Sequence, residues 1–288
     1  MFSARVTRGV EVALFLGLVS PLLVEWFETV SASSRLSYAL LVPALALVLA
    51  VRAAPARLSG AAAAAPSKGT VAAALAAFLP ALFALSAALA LLAGSLSSVF
   101  TLSLLAVPLA ALAFTARLVG PAGVRRFAPA LMLLFLMVPP PMPVMDRVNP
   151  FLIQASGSAA VTLLTPFDPE VGWAGSNLLF RGWTLIVAEA CSGSGTFLML
   201  GVLCAFLAGL FRMRPLTAGA LLLVALPLTL LVNGVRIASS ALIIARFGAA
   251  AGEGLAHELL GQAVVITGAA LLVLAVERWT ARGAEARA

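Results

Sequence analysis

Long apolar runs alternate with short polar or small-residue segments along the chain, and this pattern predicts the architecture. A helix that crosses the hydrocarbon core of a bilayer needs roughly 20 mostly apolar residues. The candidate runs are about 10–27, 36–52, 70–94, 99–118, 127–145, 193–211, 216–247 and 261–277. We therefore predict an all-α polytopic membrane protein with about eight transmembrane helices, in a single domain that spans residues 1–288.

The pattern changes in one long connection, residues 146–192, between the fifth and sixth runs. Its first part, NPFLIQASGSAAVTLLTPF, predicts an amphipathic helix in the membrane interface. Its second part, VGWAGSNLLFRGWTLIVAEA, carries the turn residues AGSN and RG between β-prone runs, and so predicts short strands. Because long ordered connections are more often functional than decorative, we expect this helix and strand insertion to contribute to catalysis.

Composition supports a membrane protein and narrows its partners. The chain is 62% hydrophobic and 10% charged, whereas a soluble domain is about 45–50% apolar and about 25% charged. The net charge of +7 does not imply nucleic acid, because excess arginine in a membrane protein first indicates orientation. We expect a lipid bilayer as the surroundings, with no nucleic acid, no metal and no cofactor.

The distribution of lysine and arginine predicts the orientation. With the N-terminus in the cytoplasm, most of the 18 basic residues, among them Arg117, Arg125 and Arg126, fall on the cytoplasmic side. The positive-inside rule therefore favours a multi-pass protein of the cell (inner) membrane with both termini in the cytoplasm. The insertion 146–192 then lies on the external face.

A cysteine begins the sixth run at its external end, in the stretch VAEACSGSGT. The positive end of a helix dipole favours the thiolate of Cys191. The backbone N–H groups around Ser192 and Gly193 are suited to hold an oxyanion. The alternative is a buried, inert cysteine at a helix start. The second cysteine, Cys204, lies deep in an apolar run and is interpreted as packing.

A second polar group interrupts the seventh run, in LVNGVRIASS. Counted from Leu216, Asn233 lies about 26 Å along a helix, near the outer edge of a roughly 30 Å core. Arg236 then lies at or just beyond that edge, where an arginine is a functional candidate; the alternative is a snorkelling anchor. We expect Gly234 to loosen or break the helix here.

The only histidine, His257, lies four residues before the eighth run, also on the external side. Any chemistry that depends on an imidazole must use it; the alternative is a surface histidine near a helix start. A nucleophile, a base and a cationic carbonyl ligand at one leaflet are the parts that thiol acyl transfer needs. Cys191, Arg236 and His257 are therefore the candidate catalytic residues.

The motifs AEACSG, NGVRI and AHELLGQ, in this order and each at an outer membrane edge, resemble the exosortase/archaeosortase family, over roughly residues 10–280. The resemblance implies a polytopic cysteine peptidase or transpeptidase. Its substrates would be membrane-anchored exported proteins with a C-terminal sorting tail of three parts: a short motif such as Pro-Glu-Pro, a transmembrane helix and a basic cluster.

By position, the resemblance makes Cys191 the nucleophile, Arg236 the essential arginine and His257 the family's histidine, and Asn233 matches the usual asparagine before the arginine. Gly175 and Asn177 resemble the family's glycine-containing strand.

The resemblance also implies a mechanism. Cys191 would form a thioacyl intermediate that water or an amine resolves, while His257 moves the protons and Arg236 stabilises the carbonyl oxygen or orients the substrate backbone. Glu189 is expected to orient His257 or contact the substrate, or else is a solvated acid. Many members carry a bulky apolar residue and then a basic residue where this chain, in the run CSGSGTF, has Ser194 and Gly195. This departure suggests a different tail preference.

Two other classes stay open. A rhomboid-type serine protease would use Ser192 or Ser194 with His257, but neither serine lies in the Gly-x-Ser-Gly pattern of that class. A non-enzymatic subunit of an exopolysaccharide export or transport system is the second alternative. Transporters tend to show internal repeats and polar groups at mid-membrane, whereas here the polar groups cluster at one edge.

Overall fold

The computed structural model describes residues 2–33, 35–54, 71–187, 193–252 and 254–285. Contacts divide the chain into two units, residues 1–140 and 141–288. The helices of the first unit are α1 (Phe2–Ser31), α2 (Leu41–Ala53), α3 (Val71–Ser97), α4 (Phe100–Leu104) and α5 (Ala106–Leu134). The second unit contains α6 (Met142–Leu164), β1 (Gly172–Ala174), β2 (Asn177–Phe180), β3 (Trp183–Ile186), α7 (Ser194–Leu210), α8 (Pro215–Phe247) and α9 (Gly254–Glu285).

Several helices are long and apolar enough to cross a membrane. In the described part of the chain these are Phe78–Ser97, Phe100–Met137, Pro215–Phe247 and Gly261–Arg282, with Ser37–Ala53 and Ser194–Leu210 as shorter apolar helices. A polytopic membrane protein therefore fits the structure. The number of eight crossings stays a prediction.

The structure has a break between the fourth and fifth predicted runs. Gly120, within the expected linker, departs from helical geometry, at φ 68° and ψ −176°, so α5 consists of two helical segments that meet at a kink. The predicted end of the fifth run, residue 145, is wrong: a short 3-10 helix, Phe135–Met137, leads into three prolines at 139–141, and α6 begins at Met142. Proline lacks the backbone donor and pushes the preceding residue out of the helical region, so these prolines separate the two helices.

The ends of the helices in the first unit are held by specific contacts. The indole Nε1 of Trp26 donates a hydrogen bond to the carbonyl oxygen of Met137, at 3.0 Å. The guanidinium Nε of Arg126 donates to the carbonyl oxygen of Ala53, the last residue of α2. These bonds satisfy carbonyls at helix ends, which have no partner within the helix.

The predicted short strands are confirmed as an antiparallel sheet in the order β1-β2-β3. Both turns have two residues, and their sequences explain their geometry. Gly175 in the first turn and both Arg181 and Gly182 in the second have positive φ. In the second turn, both central residues have positive φ, which is the type I′ geometry that matches the twist of the flanking strands.

The sheet is tied to the helix before it. Asp168 accepts hydrogen bonds from the backbone N–H groups of Arg181, at 2.9 Å, and Glu170, at 3.0 Å. Trp173 on β1 donates to Gln154 on α6, at 2.9 Å. A Cβ at Gly157 would overlap the Trp173 ring, so glycine here lets the strand approach the helix closely.

Helix α6 packs on α8, and the two helices form a core with the sheet. The buried members of this core are Ala160, Leu164, Leu178, Phe180, Val187, Ile237, Ala238 and Ala241. A Cβ at Gly234 would lie 2.8 Å from the Cβ of Ala159 and 3.3 Å from the Ser156 carbonyl oxygen. The expectation that Gly234 breaks the helix is wrong: α8 is continuous, and the glycine serves close helix packing.

A second core joins α7, α8 and α9. Its buried members are Leu200, Cys204, Leu207, Ala225, Leu272 and Val276. Cys204 is 0% exposed, which confirms its interpretation as a packing residue. The core fixes α7 against the two long helices.

Candidate active site

The start of α7 meets α8 at Gly193 and Asn233. Gly193 caps α7 in the left-handed region, at φ 85°, which residues other than glycine adopt only at a cost. A Cβ at Gly193 would also lie 2.9 Å from Nδ2 and 3.1 Å from Cγ of Asn233. Asn233 is 0% exposed. The backbone conformation and the amide both require glycine at this position.

One turn further along α8, Arg236 packs on α9 at Gly261. A Cβ at Gly261 would lie 2.7 Å from Nε, 3.1 Å from Cζ and 3.2 Å from Nη2 of Arg236. The guanidinium of Arg236 therefore packs directly against the backbone of Gly261. Because Asn233 and Arg236 are three residues apart on one helix, they lie on the same face.

The Nε atom of Arg236 is buried and makes no hydrogen bond with any residue that the structure describes. Burying a charged donor without a partner is costly, so such an atom in a folded protein calls for an explanation, such as a ligand. The first N–H groups of a helix likewise have no partner within the helix. The start of α7, which meets α8 at Asn233, and the Arg236 guanidinium, one turn further along α8, are donor groups of the kind that stabilise a carbonyl oxygen that gains charge.

Of the sequence-predicted site residues, the structure brings Gly193 and Asn233 into contact, and Arg236 lies one helical turn beyond Asn233 on α8. Cys191, Glu189 and Ser192 lie outside the described residues. Cys191 is two residues before Gly193 in the sequence.

His257 lies in the first turn of α9, and its side chain is also outside the described part. Position 257 is one helical turn before Gly261, so the two positions share a face of α9. The roles of Cys191, Glu189, Ser192 and His257 remain predictions.

Sequence reasoning missed Gly261. The signal was its place in AHELLGQ, four residues after the histidine, but the sequence does not say which side chain fills the space above a glycine.

The serine at the departure from the family pattern, Ser194, is 1% exposed, so it is buried at the start of α7. In the part of the chain that the structure describes, no three His, Cys, Asp or Glu side chains form a group able to hold a metal ion.

The apolar helices define a membrane protein, and the helix junction gives it a compact polar site. Residues 26–275 match the family described as transmembrane exosortase. The chain therefore belongs to the transmembrane exosortase family, a family of cysteine transpeptidases. Comparison with curated proteins and with solved structures gave no significant match.

Replacing Gly261 with alanine tests whether the glycine positions Arg236. The added methyl group pushes away the end of a flexible side chain, which costs little stability but moves the guanidinium. A displacement of about 1 Å at a catalytic group lowers the rate by roughly tenfold to a hundredfold. We expect Gly261→Ala to lower by that factor, at unchanged protein level, the turnover of any reaction in which Arg236 takes part.

Gly268→Ala is the matched control, because its Cβ on the same helix would lie 2.5 Å from Cγ2 of Val232, an apolar side chain. It should reduce stability without lowering the activity per folded molecule. In an Arg236→Ala background, Gly261→Ala should have little further effect, because alanine has no side-chain atoms beyond Cβ for the added methyl group to displace. Equal losses from the two glycine variants would rule out a positioning role.

Proposed function

We propose that the chain is a membrane-embedded cysteine endopeptidase or transpeptidase that cleaves C-terminal sorting tails of exported proteins through a thioacyl intermediate. The observation that carries the proposal is the junction of three helices, with Gly193 against Asn233 and Arg236 against Gly261. This junction joins the elements that bear the three motifs of the family resemblance, and it leaves the Arg236 Nε as a buried donor with no hydrogen-bond partner among the described residues.

In the proposed reaction, the Cys191 Sγ attacks the scissile carbonyl carbon as its proton passes to His257. The carbonyl oxygen gains negative charge, and donors from the start of α7 and from Arg236 stabilise it. The peptide C–N bond then breaks, and the leaving amine takes the proton from His257. Water or an amine, deprotonated by the same imidazole, attacks the thioester, and the Cys191 thiolate leaves.

Glu189 and Ser192 complete the proposed site, as a support for His257 and as part of the oxyanion-binding backbone. Asn233 holds the start of α7 through its contact with Gly193. In the sequence, Gly193 follows the proposed nucleophile Cys191 by two residues.

We further propose eight crossings in the inner membrane, both termini in the cytoplasm and the site on the external face. The stretch Phe100–Met137 has 38 residues and would extend about 57 Å as a straight helix, well beyond a hydrocarbon core of roughly 30 Å. The break at Gly120 divides it into two segments, each suited to one crossing. The substrate helix would cross beside the protein, with its basic cluster in the cytoplasm and its short motif beside Cys191.

Cleavage of a reporter tests the function. A panel of exported reporter proteins is co-expressed with the chain. Each carries a transmembrane helix and an arginine cluster at its C-terminus, and the panel varies the short motif before the helix, beginning with Pro-Glu-Pro. We expect at least one reporter to lose its tail only when the chain is present, and to keep it when the motif is scrambled. Retention of every tail would favour the non-enzymatic alternative.

A further inference from the structure

The first unit contains an apolar cavity of about 420 Å³ between α1, α3 and α5. Its lining on α5 consists of Ala106, Ala110, Ala113, Phe114 and Arg117, and α3 contributes Ala84 and Ala87 among others. The α5 positions follow the spacing of one helix face. Small side chains on the facing sides of α3 and α5 therefore leave the space open.

The cavity is long and narrow. From Ala106 to Arg117 it follows α5 for eleven residues, which corresponds to about 16 Å. Near its Ala106 end the helices close on each other: a Cβ at Gly94 on α3 would overlap Ser103 on α4. Arg117 lies at the opposite end of the α5 lining from Ala106.

The volume decides which kind of occupant fits. A transmembrane helix about 10 Å wide would fill on the order of 1,300 Å³ over this length, three times the cavity volume. A volume of about 420 Å³ is instead in the range of small-molecule sites, roughly 300–1,000 Å³. A narrow apolar channel of this size fits a single hydrocarbon chain.

Charge specifies the head group of that occupant. Among the described residues that line the cavity, Arg117 carries the only charge. Its planar guanidinium matches a phosphate by two parallel hydrogen bonds. Arg117 also belongs to the arginines predicted on the cytoplasmic side, where anionic lipids attract basic residues.

We infer that this cavity binds one anionic phospholipid, with an acyl chain along the alanine-lined space and the phosphate at Arg117. The site is separate from the residues of the proposed reaction, and it takes a lipid rather than the protein substrate. It would hold α1, α3 and α5 together through a molecule of the surrounding bilayer.

The head-group test uses native mass spectrometry of the purified full chain, titrated with phosphatidylglycerol and phosphatidylcholine of equal chain length. We expect one phosphatidylglycerol to bind about fivefold more tightly than phosphatidylcholine, and Arg117→Gln to remove this preference. Arg125→Gln, an exposed arginine on the same helix outside the cavity, should keep it. The assignment would be overturned if Arg117→Gln kept the preference for phosphatidylglycerol, or if both variants lost it equally.

The second test examines the proposed acyl-chain site with variants whose larger side chains fill the cavity. Ala110→Trp and the milder Ala113→Leu should each lower the affinity for both lipids at least about tenfold, because their side chains occupy the space for the acyl chain. Leu118→Trp, at an exposed position on α5, should bind as the unmodified protein does. Unchanged lipid binding by Ala113→Leu would contradict the inference, and so would binding of glycerol 3-phosphate as strong as that of the lipid.

Discussion

Replacing Cys191 with alanine is expected to abolish cleavage of the sorting-tail reporter. A covalent nucleophile cannot be bypassed by the remaining groups, so the rate should fall by at least about a thousandfold. Cys191→Ser should also fall steeply, because a serine hydroxyl is much less acidic than a thiol and the site is proposed to act on a thiolate. The measurement is the fraction of reporter processed over time at matched protein levels.

Cys204, the second cysteine, provides a control for the loss of a thiol outside the proposed site. This residue is buried between α7, α8 and α9, and Cys204→Ala should cost only about 1 kcal/mol of stability while processing continues. A membrane-impermeant thiol reagent added from the external side should inactivate the Cys204→Ala protein, whose one cysteine is Cys191. A rhomboid-type serine mechanism predicts resistance to this reagent, and full processing by Cys191→Ala would exclude the nucleophile assignment.

Replacing Arg236 with alanine is expected to lower turnover by roughly a hundredfold to a thousandfold, the usual cost of removing a donor to a developing oxyanion. Stability should change little or even rise, because the variant removes a buried Nε that has no hydrogen bond among the described residues. Arg236→Lys keeps the charge but loses the planar fork, so it should recover only part of the activity. The check is kcat for the reporter, together with the thermal unfolding midpoint.

Arg246→Ala is the matched control, on the last turn of the same helix. Its guanidinium stacks on the ring of the neighbouring Phe247, at 5.7 Å from the ring centre, and not on Gly261. This variant should process the reporter at close to the normal rate. If Arg236→Ala lost stability and activity together while kcat per folded molecule stayed normal, Arg236 would be a membrane-edge anchor and not part of the reaction.

Local sequence signals predicted the insertion well, because its turns are encoded by few residues. The Arg181–Gly182 turn has positive φ at both positions, a conformation that glycine favours and that the following strand needs. The end of the fifth run was harder to predict, because the sequence stays apolar beyond the point where the helix ends. The 3-10 helix ends at Met137, before the prolines at 139–141, and a new helix begins at Met142.

Two glycines show why the site could be only partly predicted. Gly234 looked like a helix breaker, but the structure places α6 against it, a contact between residues that are far apart in the sequence. Gly261 has no distinctive sequence signal, and its structural role depends on the Arg236 guanidinium that packs against it. The chemical residue types could be chosen from the sequence because thiol, imidazole and intramembrane arginine are rare here. Their supporting glycines depend on tertiary approach.

The most direct test of the account is to trap the acyl-enzyme. The purified Cys204→Ala protein is mixed with a reporter that is cleaved, quenched in acid and analysed by intact and peptide mass spectrometry. We predict an added mass equal to the acyl fragment of the reporter, on the peptide that contains Cys191, and its loss on treatment with hydroxylamine. Cleavage that proceeds with no adduct on Cys191, or with an adduct on another residue, would contradict the account.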